Sequence, residues 1–161
     1  MTSRAGIGWD AHRLEEGRRL VIGGVEVPGA ERGLAGHSDA DVLAHAAIDA
    51  LLGAAGLGDI GQHYPDTDPR WRDADSIELL AEVSGFLSDH GWNVSHLDAT
   101  VVCEAPRLDR HRDAMRARLS EAVGLAPLEV NVKFTTGEGI GFVGRGEGVA
   151  ALAVATVERA D

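Results

Sequence analysis

Two side chains near the start of the chain are of the types that bind divalent transition metals. Asp10 and His12 lie two residues apart in the segment GIGWDAHRL. On an extended strand, residues two apart point to the same face, so a carboxylate and an imidazole are presented together. Both groups are common zinc ligands. The pair is therefore either a solvated strand edge or half of a metal site whose other ligands lie further along the chain.

His45 is the third candidate ligand. It lies inside DADVLAHAAIDALLGAAG, a segment that is apolar all round a helical period and so predicts a largely buried helix. Asp41 and Asp49 lie four residues before and after His45 and share its helix face. A ligating imidazole usually donates its second ring N–H to a carboxylate, which makes Asp41 and Asp49 candidates for that role.

Together, Asp10, His12 and His45 would leave one position open on a four-coordinate metal. This arrangement is typical of catalytic zinc sites, whereas structural zinc sites have four protein ligands. The alternative is a core histidine satisfied by a carboxylate, and spacing alone leaves both interpretations open. Cys103 is the single cysteine, which excludes a thiolate-rich site and an intrachain disulfide and indicates a reducing, cytoplasmic location.

Composition narrows the classes of protein and of partner. A length of 161 residues with 44% hydrophobic residues predicts one domain, residues 1–161. The net charge of −11 argues against a nucleic-acid partner, which requires clustered lysine and arginine. No apolar run reaches the ~18 residues of a membrane span, and the first ten residues do not resemble a signal peptide. An anionic substrate would need a bound cation, backbone N–H groups or a few placed cationic side chains.

The glycine-rich segments contain two weak matches to the dinucleotide-binding fingerprint. GIGWDA matches G-x-G-x-x-A and GIGFVG matches G-x-G-x-x-G. Neither is placed in the βαβ unit that the fingerprint requires, so we reject both. The second lies in a longer loop, TTGEGIGFVGRGEG, whose glycines either cradle phosphates or form tight turns.

Periodicity and turn residues predict the order of the elements. In sequence these are a strand over residues 4–9, a hairpin at Gly23-Gly24, a helix from the N-cap Ser38 to Gly56, a helix from Asp75 with Glu78 to Gly91, a strand LDATVVCE, a helix ending at Gly124, a strand LEVNVKF and a final run VAALAVATVER. For the final run we favour a buried strand over a helix. The segment LGDIGQHYPDTDPRWRDAD is predicted to be a loop, and its aspartates are either turn residues or ligands for a polyol.

Five blocks of this sequence occur together in one known family. They are GWDAHRL, GHSDADVLAHAAIDALLGAAGLGDIG, PDTDP, CEAPRL and VNVKFTTGEGIGFVGRGEG. In order and spacing the chain resembles the 2-C-methyl-D-erythritol 2,4-cyclodiphosphate synthases over nearly its whole length. The resemblance implies an α+β fold, a mixed β-sheet with helices packed on one face, similar to chorismate mutase. It also implies a homotrimer with active sites between subunits.

The activity implied by the resemblance is that of a CMP-forming phosphorus–oxygen lyase of the non-mevalonate isoprenoid pathway. In the implied reaction the 2-phosphate of 4-diphosphocytidyl-2-C-methyl-D-erythritol 2-phosphate attacks the β-phosphorus, CMP leaves, and the cyclic diphosphate forms. Asp10, His12 and His45 would hold Zn²⁺ or another divalent transition metal, and Glu138 would hold Mg²⁺ or Mn²⁺. An isoprenoid diphosphate in the cavity on the trimer axis is also implied.

The remaining site residues also come from the resemblance. His37 and Thr136 would position the substrate or stabilise the transition state. The implied substrate contacts are Ser38, Asp59, Ile60, Gly61, Asp66, Ala105, Pro106, Arg107, Thr135, Phe142 and Arg145. Three positions depart from the usual family residues: Arg107 for lysine, Gly137 for threonine and Trp9 for phenylalanine.

Two other functions use the same residues. A zinc hydrolase would activate water at the open metal position. A non-catalytic trimeric protein would bind isoprenoid diphosphates through the axial cavity alone.

Overall fold

A five-stranded mixed sheet organises the fold in this computed structural model, which describes residues 1–159. The strands are β1 (Thr2–Glu16), β2 (Val21–Ile22), β3 (Val25–Glu26), β4 (Arg32–Leu34), β5 (Asn93–Val102), β6 (Val130–Thr135) and β7 (Gly148–Arg159). The sheet order is β4-β1-β7-β5-β6; β5 and β6 are parallel, and the other neighbours are antiparallel. β2 and β3 form a separate hairpin. The final apolar run is therefore a strand, as predicted, while the last two residues of the predicted domain lie outside the described part.

Helices cover one face of this sheet. They are α1 (Val42–Ala55), α2 (Ile60–His63), α3 (Ser76–Asp89), α4 (Arg112–Val123) and α5 (Gly141–Gly144), with 3-10 turns at Pro69–Trp71, Asp109–His111 and Pro127–Glu129. α1 packs on β1, β7 and β5, α3 packs on α1 and α4, and α4 packs on β6. The predicted α+β fold with helices on one face is confirmed. Within residues 1–159, no helix combines the length and apolar character needed to cross a bilayer.

The close contact between β1 and α1 requires the two glycines of the GIG segment, Gly6 and Gly8. Gly6 and Gly8 alternate with exposed Ile7, so both glycines face the helix. A Cβ atom on Gly8 would lie 1.9 Å from the Ala46 carbonyl oxygen, and one on Gly6 would lie 2.2 Å from the Ala50 carbonyl oxygen. Close approach of two backbones therefore explains the glycines, which supports the rejection of a dinucleotide fingerprint.

The prediction that Ser38 caps α1 is wrong, because the N-cap is Asp41. Its carboxylate accepts hydrogen bonds from the backbone N–H groups of Leu43 and Ala44, and also from those of Gly23 and Gly24 in the β2–β3 hairpin. Asp41 is fully buried, and this burial raises the pKa of its carboxyl against the opposing effect of the N–H donors. The carboxylate that caps α1 thus also holds the β2–β3 hairpin, which is remote in sequence.

The segment predicted to be a loop after α1 contains two short helical turns. Asp59 caps α2 and Asp68 caps the 3-10 turn Pro69–Trp71. These turns are too short for a hydrophobic period, so only their caps carry a sequence signal. Asp75 does cap α3, as predicted, by accepting a hydrogen bond from the Ile77 N–H.

Cys103 gives a chemical test of core packing. Its thiol is buried and donates to the Ala105 carbonyl oxygen over 3.3 Å, and burial raises its pKa to about 11. Because an unperturbed cysteine has a pKa of about 8.5, the thiolate fraction of Cys103 at pH 8 should be lower by a factor of roughly a hundred or more. We expect reaction with a disulfide reagent at pH 8 to be slow in the native protein and fast in urea. Equal rates in both conditions would contradict this placement of the thiol.

Candidate metal centre

Asp10, His12 and His45 converge where β1 passes α1. His12 Nε2 lies 2.7 Å from Asp10 Oδ2, and His45 Nδ1 lies 3.1 Å from the same oxygen. The two imidazole nitrogens are 3.1 Å apart. One ligand atom from each residue thus lies within 4.8 Å of the others, which is close enough for all three to bind one cation.

The other nitrogen of each imidazole is occupied, which leaves the converging nitrogens free to bind a metal. His12 Nδ1 lies 2.8 Å from the carbonyl oxygen of Ala35, so this nitrogen carries the proton. His45 Nε2 lies 2.8 Å from the Ser76 Oγ and 3.2 Å from the Ser38 Oγ. Once His12 Nε2 and His45 Nδ1 are deprotonated, both present lone pairs beside the Asp10 carboxylate. This donor set of one oxygen and two nitrogens fits a divalent transition metal.

The predicted carboxylate partner of His45 is wrong. Asp41 is used in the cap of α1, and Asp49 accepts a hydrogen bond from the Ile60 N–H over 2.8 Å. Among the described residues, neither carboxylate is bonded to the His45 ring. The carboxylate that supports His45 acts through a hydroxyl: Ser76 Oγ donates to Asp39 Oδ1 and accepts from His45.

Sequence reasoning did not single out Ser76 or Asp39. Ser76 is 31 residues from His45 and looks like an ordinary first residue of α3. Asp39 precedes the helix of His45 and also accepts a hydrogen bond from the Ser76 backbone N–H. No spacing rule links the starts of two separate helices, so this contact required the tertiary structure.

The electrostatics keep the Asp10 carboxylate ionised. Burial raises its pKa, but hydrogen bonds and charge interactions with His12 and His45 outweigh burial and lower the pKa to about 2. Burial lowers the pKa of His12, and the bonded Asp10 carboxylate more than reverses this effect. Asp10 is thus a negative ligand over the physiological pH range.

A cavity of about 550 Å³ opens beside the three converging side chains. The predicted site residues that line it are Asp10, His12, His37, Ser38, His45, Ile60, Gly61 and Asp66. Asp59 lies next to them as the cap of α2 and is exposed. The His37 ring is held by a 2.9 Å hydrogen bond from Nε2 to the Asp68 carbonyl oxygen.

The other predicted site residues lie elsewhere in the chain. Pro106, Arg107, Thr135 and Thr136 line a second cavity of about 400 Å³, and Ala105 adjoins a smaller one that Pro106 also lines. Phe142 and His12 line a fourth cavity. Arg145 is paired with Glu147 over 2.7 Å. The exposed Glu138 accepts a 3.1 Å hydrogen bond from Thr136 Oγ1. One described chain therefore does not gather all the predicted residues around one cavity.

The glycine-rich loop forms tight turns, one of the two interpretations that the sequence left open. The N–H groups of Gly137 and Gly139 are bonded to the Glu104 carboxylate, and those of Gly144 to Glu147 bond within the loop. A Cβ atom on Gly137 would lie 2.6 Å from the Gly144 nitrogen. The glycine at this departure from the usual threonine is thus required by packing inside the loop. At another departure, Arg107 is ion-paired with Asp109 over 3.1 Å.

The YgbB family model matches residues 3–158. The chain belongs to the YgbB family. It is 56% identical over 155 residues to a bifunctional IspD/IspF enzyme of Anaeromyxobacter dehalogenans, covering 96% of this chain and 40% of that protein. It is 57% identical over 160 residues to a 2-C-methyl-D-erythritol 2,4-cyclodiphosphate synthase of Rubrobacter xylanophilus, covering 98% and 96%. The chain thus spans about two-fifths of its bifunctional relative and nearly all of its monofunctional one.

A solved structure agrees with these sequence matches. A 2C-methyl-D-erythritol-2,4-cyclodiphosphate synthase in its CDP-bound form matches with a TM-score of 0.87 and 39% identity, covering 96% of this chain and 100% of that one. The resemblance found in the sequence blocks is therefore confirmed at the level of the family and of the fold.

The hydroxyl that supports His45 in this family member can be tested by substitution. We expect Ser76→Ala to lower the zinc affinity by about 10- to 100-fold, because His45 Nε2 loses the acceptor that fixes its ring orientation. Titration of zinc against a competing chelator measures the change. Ser76→Thr retains the hydroxyl and should retain most of the affinity. Equal affinities for Ser76→Ala and the unchanged protein would contradict this role.

Proposed function

We propose that the chain converts 4-diphosphocytidyl-2-C-methyl-D-erythritol 2-phosphate into 2-C-methyl-D-erythritol 2,4-cyclodiphosphate and CMP. The convergence of Asp10, His12 and His45 on the wall of a cavity carries this proposal. The name of the Rubrobacter xylanophilus relative supports it as well.

The reaction is an internal phosphoryl transfer. An oxygen of the 2-phosphate forms a bond to the β-phosphorus, the bond from the β-phosphorus to the oxygen bridging the two phosphates breaks, and CMP departs with that oxygen. Such transfers depend mainly on positioning and on charge neutralisation. Zn²⁺ or a similar metal on Asp10, His12 and His45, and Mg²⁺ or Mn²⁺ on Glu138, would supply the positive charge that a chain of net charge −11 lacks.

The first cavity suits the polyol end of this substrate. Ile60 and Gly61 begin α2, whose start is held by the Asp49 carboxylate, and Asp66 lines the same wall. The Gly61 N–H and the Asp66 carboxylate would orient the methylerythritol, while the Ile60 N–H is held by Asp49. His37, held by its bond to the Asp68 carbonyl, would position the reacting phosphates, and Ser38 would contact them.

The second cavity suits the cytidine end. The backbone of Ala105, Pro106 and Arg107 would bind the base. Pro106 and Arg107 line this cavity together with Thr135 and Thr136, and Ala105 lines the adjoining one. Phe142 and Arg145 would complete the binding region. Because the two cavities are separate in one chain, we propose that a second copy of the chain brings them together in a homotrimer.

An exposed apolar surface supports this assembly. Ile7 and Trp9 on β1 are paired in register with Val154 and Leu152 on β7, on the sheet face that the helices leave uncovered. Their exposed fractions are 69%, 56%, 43% and 38%, respectively. A contiguous apolar patch of this kind is typical of an interface between protein chains.

The patch gives a test of the assembly. We expect Trp9→Glu to shift the protein from trimer to monomer, because it places a charge in a face that association would bury. Light scattering coupled to gel filtration measures the mass. Leu128→Glu, an equally drastic change at an exposed turn, should leave the trimer intact. A monomeric unchanged protein would overturn the proposed homotrimer.

Phosphorus NMR of the products tests the function itself. A cyclic diphosphate with an equal amount of CMP supports the proposal. A linear phosphate product with CMP would instead assign a zinc hydrolase. Ligand binding without turnover would leave only the isoprenoid diphosphate binder. The cytoplasmic location and the axial ligand remain predictions.

A further inference from the structure

Glu104 joins two loops that would serve different parts of the substrate. It lies just after β5, and its carboxylate reaches the loop that follows the neighbouring parallel strand β6. Its Oε2 accepts a 2.8 Å hydrogen bond from the Gly137 N–H, and its Oε1 accepts a 3.2 Å bond from the Gly139 N–H. Both oxygens of one side chain are therefore used to hold one short stretch of backbone.

The residue between these two glycines has an unfavourable backbone conformation. Glu138 has φ of +52°, in the left-handed region that non-glycine residues seldom adopt. Such a conformation persists only when surrounding contacts impose it. The Gly137 N–H belongs to the peptide group before Gly137, and the Gly139 N–H belongs to the peptide group after Glu138. Glu104 therefore holds both ends of the two-residue segment that contains Glu138, and so helps to impose its backbone conformation.

The charge of Glu104 is not explained by an ion pair. Within residues 1–159, no lysine or arginine forms a salt bridge with it, and its bonds are to backbone N–H groups. A half-buried carboxylate on the wall of the second cavity would repel a polyanionic substrate. A requirement to organise the loop accounts for its presence there.

We propose that Glu104 is a positioning residue that sets the Gly137–Gly139 backbone and thereby the placement of Thr136 and Glu138. The same residue precedes Ala105 and Pro106, so it ties the nucleotide-binding loop to the loop that would hold the second metal. The roles of Thr136 and Glu138 in this inference rest on the proposed function. The two hydrogen bonds from the Gly137 and Gly139 N–H groups to Glu104, which we call the clamp, do not depend on the proposed function.

Two measurements on the 161-residue chain test the proposal. The first is amide hydrogen exchange at Gly137 and Gly139 by NMR, in which Glu104→Ala should lose at least tenfold of the protection. The second is turnover against Mg²⁺ concentration. Here Glu104→Ala should lower kcat by about 10- to 100-fold and raise the half-saturating Mg²⁺ severalfold, since misplaced groups forfeit rate. CMP affinity should change less than threefold.

Conservative and control variants separate positioning from general stability. Glu104→Gln retains one acceptor oxygen and should fall between the unchanged protein and Glu104→Ala in both measurements. Glu121→Gln makes the same change on the exposed face of α4 and should alter neither. In a Glu138→Ala background, Glu104→Ala should no longer change the Mg²⁺ dependence, because the group that it positions is gone.

The outcomes distinguish this inference from the proposed function. Unchanged glycine exchange in Glu104→Ala would overturn the clamp whatever the activity. Lost protection with unchanged kcat and Mg²⁺ dependence would overturn its positioning role. If the unchanged protein forms no cyclic product, the proposed function fails while the exchange measurement still judges the clamp.

Discussion

Replacement of His45 by alanine is expected to abolish zinc binding at this site and to lower kcat by about a thousandfold or more. The change leaves only Asp10 and His12, whereas a catalytic zinc ion usually has three protein ligands. The substrate phosphates would then lose the positive charge that stabilises the transition state, an effect of several kcal/mol. Metal analysis after dialysis and phosphorus NMR of the products measure the two losses.

The control for this experiment is His90→Ala. His90 is exposed at the end of α3, where its Nδ1 donates to the Phe86 carbonyl oxygen, so its removal should leave zinc content and turnover unchanged. Circular dichroism should show that His45→Ala still folds, since His45 is not part of the apolar core that packs around α1. One zinc per chain and undiminished turnover in His45→Ala would show that the metal site is elsewhere.

Replacement of Gly8 by alanine is expected to cost about 3–5 kcal/mol in the free energy of unfolding, a loss near the upper end for a single substitution. The added Cβ atom would lie 1.9 Å from the Ala46 carbonyl oxygen and 2.7 Å from the Ala50 nitrogen, so α1 must move away from β1. That movement would also separate His45 from Asp10 and weaken zinc binding. Urea unfolding and zinc titration measure the two effects.

Gly85→Ala provides the matched control. It adds the same methyl group on the exposed face of α3, where no atom lies within 4 Å of the new Cβ. Because alanine favours a helix over glycine, we expect stabilisation by about 0.5–1 kcal/mol. A Gly8→Ala variant whose stability lies within 1 kcal/mol of the unchanged protein would contradict the close strand–helix contact.

Local periodicity was sufficient to predict the strand and the helix that hold the three candidate metal ligands. Alternation along β1 placed Asp10 and His12 on one face, and the helical period placed His45 on a buried helix. The caps at Asp75 and Gly124 also followed from neighbouring residues alone, whereas the period left a helix possible at β7 and only favoured the strand that forms there. These features depend on steric rules within a few residues, so a sequence contains the information for them.

The five family blocks decided questions about function that periodicity and spacing left open. Spacing alone did not decide between a core histidine and a metal ligand at His45, nor between a phosphate cradle and turns in the glycine-rich loop. The blocks identified the family, and with it the residues that would bind metals and substrate. They did not show which contacts hold those residues in place.

Those contacts were decided only by the tertiary structure. Asp41, the residue directly before α1, caps the helix, and its carboxylate also accepts two hydrogen bonds from a hairpin remote in sequence. The support of His45 passes through Ser76 to Asp39, and Glu104 holds a loop 33 residues away. Each of these hydrogen bonds joins two segments that are distant in sequence and come within 3.5 Å of each other only when the whole chain packs. Local periodicity in the sequence therefore cannot predict them.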